Sequence, residues 1–376
     1  MLRAAAEMTL ELAGAVKREG FTLKDATPYN LIFDGCRPVF VDLLSFRRGD
    51  ARESLWQPYA QFVRTFILPL LCCRHFGLRL DELLLSHRDG IEPERLWELC
   101  PTYRLLFPPF LSSVTLPVLL SRGEGASGEK YRPRHARDEQ EAAFLLDSLF
   151  KRAGRLVRCA GKLRRRSAGV QYMVSGHPYT PDELAAKERF IGSVLSRSQP
   201  HYILDIGCNT GHFSLIAARA GARVVAIDRD QAAIDELWRT ASQAAPTILP
   251  LVVDIGRPPG ACGWRNSECS AFLDRARGRF DCVWMLAVLH HLLVNERVPL
   301  VAILQLVADL TTRWAVVEYV DPKDSNFQQI ARGRDALHRD VTRDNFESAA
   351  GRLFAIADAA DLTATRRIYL LEKKGA

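Results

Sequence analysis

From residue 180 to the C-terminus, short aliphatic runs alternate with helix-length amphipathic ones, and nothing else in the chain narrows its fold as much. Strand-like runs fall at 201–206, 223–227, 248–253, 280–285, 313–318, 353–357 and 365–371. Helical patterns fill the intervals at 181–196, 211–220, 230–242, 296–310 and 342–350. This alternation predicts an α/β fold with a doubly wound, mostly parallel sheet of seven strands. Parallel strands need crossover helices, and those helices cover both faces. In such sheets ligands bind beyond the carboxyl ends of the strands, at the topological switch point.

The residues ending the strands are therefore the first place to look for chemistry. The first strand runs into Asp205-Ile206-Gly207-Cys208-Asn209-Thr210-Gly211. Gly207 permits a sharp turn, Gly211 a close approach of the following helix, and that helix start presents free N–H groups to an anion. Asp205 offers a carboxylate to a cationic amine. The second strand ends in Asp228, where an acid can accept hydrogen bonds from both hydroxyls of a ribose. The third ends in Asp254, placed to meet an adenine edge.

These segments, LDIGCNTGHFS, VVAIDRD, VVD, FDCVWMLAVLHHLL and WAVVEY, resemble the successive motifs of class I S-adenosylmethionine-dependent methyltransferases over roughly residues 180–376. The resemblance implies a Rossmann-like methyltransferase sheet with S-adenosylmethionine as cofactor. By position it assigns Asp205, Gly207, Asn209 and Gly211 to the loop holding the methionine moiety and Asp228 to the ribose. Asp254 falls near adenine, and Met285, Leu286 and Ala287 beside the sulfonium. Asn209 replaces the middle glycine of the commonest loop pattern, and the spacing departs from the G-x-G-x-x-G of dinucleotide enzymes.

Candidate bases stand on the same rim. His290 and His291 open the helix after the fourth strand and are expected to point in different directions. Glu318 closes the fifth strand as a base or a substrate orienter, with Tyr319 beside it. Ahead of the sheet, Tyr172, His177 and Tyr179 belong to a segment that often caps the cleft in this fold, where they would line the acceptor pocket. No metal constellation is evident, and the chemistry requires none.

The N-terminal part reads differently. Residues 1–120 are expected to form a mainly helical domain with a short β-hairpin, its turn at Asp34-Gly35; 121–180 a linker, basic helix and cap segment; and 181–376 the methyltransferase domain. The first helix, 1–19, begins without a capping residue, which suggests a natural domain that starts upstream. Residues 23–46 resemble the catalytic segment of kinase-like phosphotransferases, with Asp25, Asn30 and Asp42 at the corresponding positions. Lys24 and Leu44 depart from that pattern, and the segment reads as a remnant serving as scaffold or substrate lid. The whole arrangement resembles a nodulation-related group of bacterial methyltransferases, which favours a small metabolite or a glycoconjugate as acceptor.

Composition sets the remaining bounds. Lys and Arg number 51 against 44 Asp and Glu, a formal charge of +7, which is too mild to indicate nucleic-acid binding by itself. A cation-rich stretch, Lys151, Arg152, Arg155, Arg158, Lys162, Arg164, Arg165 and Arg166, keeps a nucleic-acid methyltransferase as an alternative. The favoured reading is the solvated face of a helix, whose cations also suit its C-terminal dipole. A non-catalytic protein that kept the cofactor pocket and a residual phosphotransferase are further alternatives. The 9 cysteines show no C-x-x-C pair and read as reduced thiols of a cytoplasmic protein. No apolar run reaches the roughly 20 residues of a membrane span, so no membrane partner is expected.

Overall fold

A computed structural model describes residues 1–123, 135–161 and 180–375. By its internal contacts the chain divides into two units, Met1–Asp34 with Pro38–Arg165, and Gly35–Arg37 with Arg166–Ala376.

The first unit opens with helix α1 (Leu2–Arg18), whose stripe of Leu2, Ala5, Ala6, Leu10 and Ala13 is buried. Four short strands follow as two antiparallel pairs. Strand β1 (Phe21–Leu23) pairs with β4 (Phe46–Arg48), while β2 (Leu31–Asp34) and β3 (Arg37–Phe40) form the expected hairpin. A two-stranded pair is marginal alone; here Leu23 and Leu31 join the core that α1 and the later helices build. Strands β1 and β4 were not legible, because three residues are too few to display alternation. Lys24 and Leu44, the two departures from the kinase-like pattern, meet: the Lys24 ammonium donates to the Leu44 carbonyl at 3.0 Å.

Residues 59–123 are mainly helical, as expected: α2 (Tyr59–Phe62), α3 (Leu68–Phe76), α4 (Leu80–Ser86), α5 (Pro93–Leu99), α6 (Thr102–Leu105) and α7 (Leu116–Gly123). Several prolines that punctuate this stretch stand in first turns, as Pro93 does, where no intrahelical N–H is required. Helix α8 (Glu139–Ala160) is capped by Asp138, which accepts from the Glu141 amide at 2.8 Å. It buries Ala153, Gly154 and Val157 and exposes Lys151, Arg152, Arg155 and Arg158. The helix was expected to reach 166; residues 162–166 lie outside the described residues.

The second unit is a seven-stranded sheet in the order β10-β11-β9-β8-β5-β6-β7. Its strands are β5 (Tyr202–Ile206), β6 (Arg223–Asp228), β7 (Ile248–Val252), β8 (Phe280–Met285), β9 (Thr311–Val320), β10 (Phe354–Asp361) and β11 (Arg366–Lys373). The pairs from β7 across to β9 are parallel, and β11 runs antiparallel between β9 and β10. Chain order reverses at β5, which has β6 on one side and β8 on the other, so the switch point lies there. The helices are α9 (Pro181–Ser198), α10 (His212–Arg219), α11 (Gln231–Ala244), α12 (Phe272–Ala276), α13 (Leu289–Val294), α14 (Leu300–Leu310), α15 (Ser325–Ala331) and α16 (Arg343–Gly351).

Alternation along the strands feeds two cores. Leu204, Val283, Met285, Val317 and Tyr369 face one side; Ile203, Cys282, Trp284, Val316 and Ile368 face the other, with α9. Two-sided burial explains why these strands read as unbroken apolar runs. Among the described residues no helix is long and apolar enough to cross a membrane.

Candidate functional site at the switch point

The loop after β5 is built by three left-handed residues, Gly207 (φ 73°), Asn209 (φ 52°) and Gly211 (φ 78°). Asparagine tolerates that conformation better than other side chains, so Asn209 keeps the turn that a glycine makes in the commoner pattern. A Cβ on Gly207 would stand 2.2 Å from Val288 Cγ2, so the missing side chain is what lets the loop and the segment after β8 touch. On Gly211 it would stand 2.2 Å from Leu237 Cδ1 of α11.

Asp228, the last residue of β6, closes onto this loop. One carboxylate oxygen accepts the Asn209 amide at 2.9 Å and the other accepts the Asp230 amide at 2.8 Å. Burial raises its pKa, and those two amides oppose the rise. A carboxylate has about four acceptor positions, so two remain for hydroxyl donors. Asp254 follows β7 and accepts the Gly256 amide at 2.9 Å. Met285 ends β8 fully buried, and Ala287 adopts φ 57°, a conformation that costs a residue with a Cβ.

Asp205 lies deeper, 2% exposed, and accepts the Ser214 hydroxyl at 2.5 Å. Burial pushes its pKa up to about 6, against the Ser214 hydrogen bond and the charge of Lys187. Lys187 of α9 is 2% exposed; its ammonium donates to Glu318 at 2.6 Å and sits 4.9 Å from the centre of the Phe213 ring. Alternation puts Glu318 on the Val316 face of β9. Its other oxygen lies 3.5 Å from Arg366 of β11, and Arg366 in turn grips Asp324 through two nitrogens at 2.8 and 2.9 Å. The result is a buried chain, Lys187–Glu318–Arg366–Asp324, with two charges of each sign. Glu318 is thus an ion-paired carboxylate rather than an open base.

His290 is 3% exposed, and its Nδ1 has no hydrogen-bond partner among the described residues. Burial holds it well below the ordinary histidine range; His291, Arg366 and Lys187 act in the same sense and Asp324 opposes them. Burial, with Arg229 and Arg366, lowers His291 to about 4. The two rings do not diverge as expected: their centres lie 4.3 Å apart. Consecutive positions at a helix start let both turn toward one neighbourhood, with Phe327 6.4 Å beyond His290. Tyr319, expected beside the acceptor, packs into the core of the opposite face, and its hydroxyl donates to the Val341 carbonyl at 2.9 Å. Tyr172, His177 and Tyr179 lie outside the described residues.

Lys187, Ser214, Asp324 and Arg366 were not singled out from sequence. A lysine on an amphipathic helix carries the same signal whether it is solvated or buried, and Arg366 opens its strand between Thr365 and Arg367 without a motif. Among the described residues no group of three or more His, Cys, Asp or Glu could hold a metal ion.

Residues 178–353 match the family model described as a methyltransferase domain. The chain is 27% identical over 382 residues to the nodulation protein NoeA of Rhizobium meliloti (strain 1021), covering 99% of this chain and 78% of the other. Among solved structures it is similar to magnesium protoporphyrin IX methyltransferase (ChlM) of Synechocystis PCC 6803 with bound SAM. That match is 17% identical, covers 55% of this chain and 92% of that one, and has a TM-score of 0.37. It is also similar to the N-methyltransferase NodS of Bradyrhizobium japonicum WM9, 12% identical, covering 51% and 97%, with a TM-score of 0.39. With the strand order and the strand-end acids, the family match identifies residues 178–353 as a methyltransferase domain, in a chain similar along its length to a nodulation protein.

Proposed function

We propose that the enzyme methylates an oxygen, nitrogen or carbon nucleophile of a small or medium-sized molecule, a metabolite or a glycoconjugate, by in-line displacement. The observation that carries this reading is the Asp228 carboxylate, fixed by the amides of 209 and 230 against the glycine turn at the switch point. When bound, S-adenosylmethionine supplies a methyl group already activated by its sulfonium. The chain's task is then alignment and exclusion of water, worth up to roughly 7–11 kcal/mol in well-oriented systems.

In this reading Asp228 accepts from the ribose hydroxyls and Asp254 meets the adenine edge. The 207–211 loop, backed by Asp205, receives the methionine end, and Met285, Leu286 and Ala287 lie along the sulfonium. His290 is the proton acceptor: it stays neutral at neutral pH, and its Nδ1 is uncommitted among the described residues. Glu318, bound between Lys187 and Arg366, orients the site rather than taking the proton.

Calorimetry with S-adenosylhomocysteine tests the cofactor assignment. Folded protein should bind it, and Asp228→Ala should bind far more weakly; equal affinity in that variant removes the ribose role. Turnover of S-adenosylmethionine with fractionated metabolite and glycoconjugate extracts tests the acceptor class. Methyl incorporation confined to nucleic acid would overturn it.

A further inference from the structure

The segment between β7 and α12 carries two cysteines that the transfer chemistry leaves unused. Cys262 and Cys269 face each other across an isolated antiparallel bridge: the Cys262 amide donates to the Cys269 carbonyl at 2.9 Å, and the Cys269 amide returns the bond at 3.1 Å. A residue pair that exchanges both hydrogen bonds has its Cα atoms about 5.5 Å apart. That separation falls inside the roughly 4.4–6.8 Å spanned by disulfides. The reversal between them is made by left-handed residues, Gly263 at φ 89°, Arg265 at 54° and Asn266 at 55°. Two of these carry a Cβ and are disfavoured there, so the loop accepts strain in the turn that brings the cysteines opposite one another.

Both thiols are free and half-buried, within reach of a soluble oxidant, whereas Cys36, Cys72, Cys73, Cys100, Cys208 and Cys282 are buried. The contact made by the Cys269 sulfur is a weak one, to the Ser270 carbonyl at 3.7 Å.

We propose that Cys262 and Cys269 form a reversible intramolecular disulfide, a modification site that staples the 262–269 loop under thiol oxidants. With glutathione disulfide as oxidant, one cysteine sulfur attacks it, loses its proton and forms a mixed disulfide while one glutathione leaves. The second cysteine sulfur then displaces the second glutathione. In sum two cysteine S–H bonds and the S–S bond of glutathione disulfide break, one protein S–S bond forms, and the two electrons and two protons leave in the S–H bonds of two reduced glutathiones.

The test uses the full chain, reduced, desalted, exposed to glutathione disulfide, alkylated with iodoacetamide and digested with trypsin without reductant. Cleavage at the exposed Arg265 separates the two cysteines. The expected product is a linked pair of peptides that dithiothreitol separates and that Cys262→Ser abolishes. The same treatment in urea should yield the linked pair severalfold more slowly, because the bridge geometry is then lost. Full alkylation of both sulfurs, separate glutathione adducts on each, a link to Cys159, or equal rates with and without urea would each overturn the proposal.

Discussion

In the second unit Asp205, Asp228 and Asp254 lie at the ends of strands, and each carboxylate accepts a hydrogen bond from the chain around it. In the first unit Asp25 and Asp42 also stand beside short strands, but Asp25 is exposed and is held by its backbone, through Ser45. Asp42 caps a single turn by accepting the Leu44 amide at 3.1 Å. The contrast follows from what surrounds the strands. Five parallel strands, covered on both faces, sink their ends into a medium where a carboxylate must find donors, and burial there raises the pKa of Asp205 and Asp228. Two antiparallel pairs leave their acids in water. Similar residue types at strand ends thus produce a candidate site in one unit and surface caps in the other.

The largest expected effect concerns the buried ion chain. Lys187→Met leaves Glu318 with a weaker partner in a dry site and should cost about 3–5 kcal/mol of stability. In the first unit Arg95→Met removes the exposed partner of Glu98 and should cost no more than about 1 kcal/mol. Calorimetric melting of both variants checks this; equal losses would erase the distinction between the units. Next, Asp228→Ala should weaken S-adenosylhomocysteine binding by roughly 10–150-fold, as expected for losing hydrogen bonds to a charged group worth about 1.5–3 kcal/mol. Asp25→Asn should leave that affinity unchanged in the same titration.

A third test reads the electrostatics through pH. The Asp205 pKa is raised to about 6 in the fold from 3.8, so the folded state binds the extra proton between those values. The resulting penalty is absent below about pH 4 and complete above about pH 6. Asp205→Asn should therefore stabilise the protein at pH 7.5 by roughly 1–3 kcal/mol and do little at pH 3.5. The histidines act with the opposite sign. His291 falls to about 4 from 6.5 and His290 falls well below 6.5. The unfolded chain takes up protons that the fold refuses, and stability is lost as pH drops from 6.5 toward 4. His290→Phe should flatten that loss, which denaturant melts across the range would detect. The smallest effect belongs to Asp42→Ala, about 0.5–1 kcal/mol for a lost cap, with no change in cofactor affinity.

Periodicity made the second unit legible. Segments such as 280–285 are long enough to count, and acids at strand ends are visible because they interrupt apolar runs. Short or irregular elements escaped. Strands β1 and β4 have three residues each, and α12 and α15, at five and seven, lie among loop residues. The positions of Glu318 in β9 and of His290 at the start of α13 were readable; their partners were not. Lys187 is 131 residues from Glu318 and Arg366 is 48 from it, and no local pattern marks two positions as future neighbours.

Local chemistry in the chain determined the alternating elements, the left-handed loop at 207–211 and the carboxylates at the ends of β6 and β7, because period, chirality and strand termini are short-range properties. Only the assembled sheet decided which charges are buried, that Glu318 is tied to two cations, and that His290 stays neutral. Desolvation and pairing depend on what packs from distant parts of the chain, and a linear reading carries no measure of that.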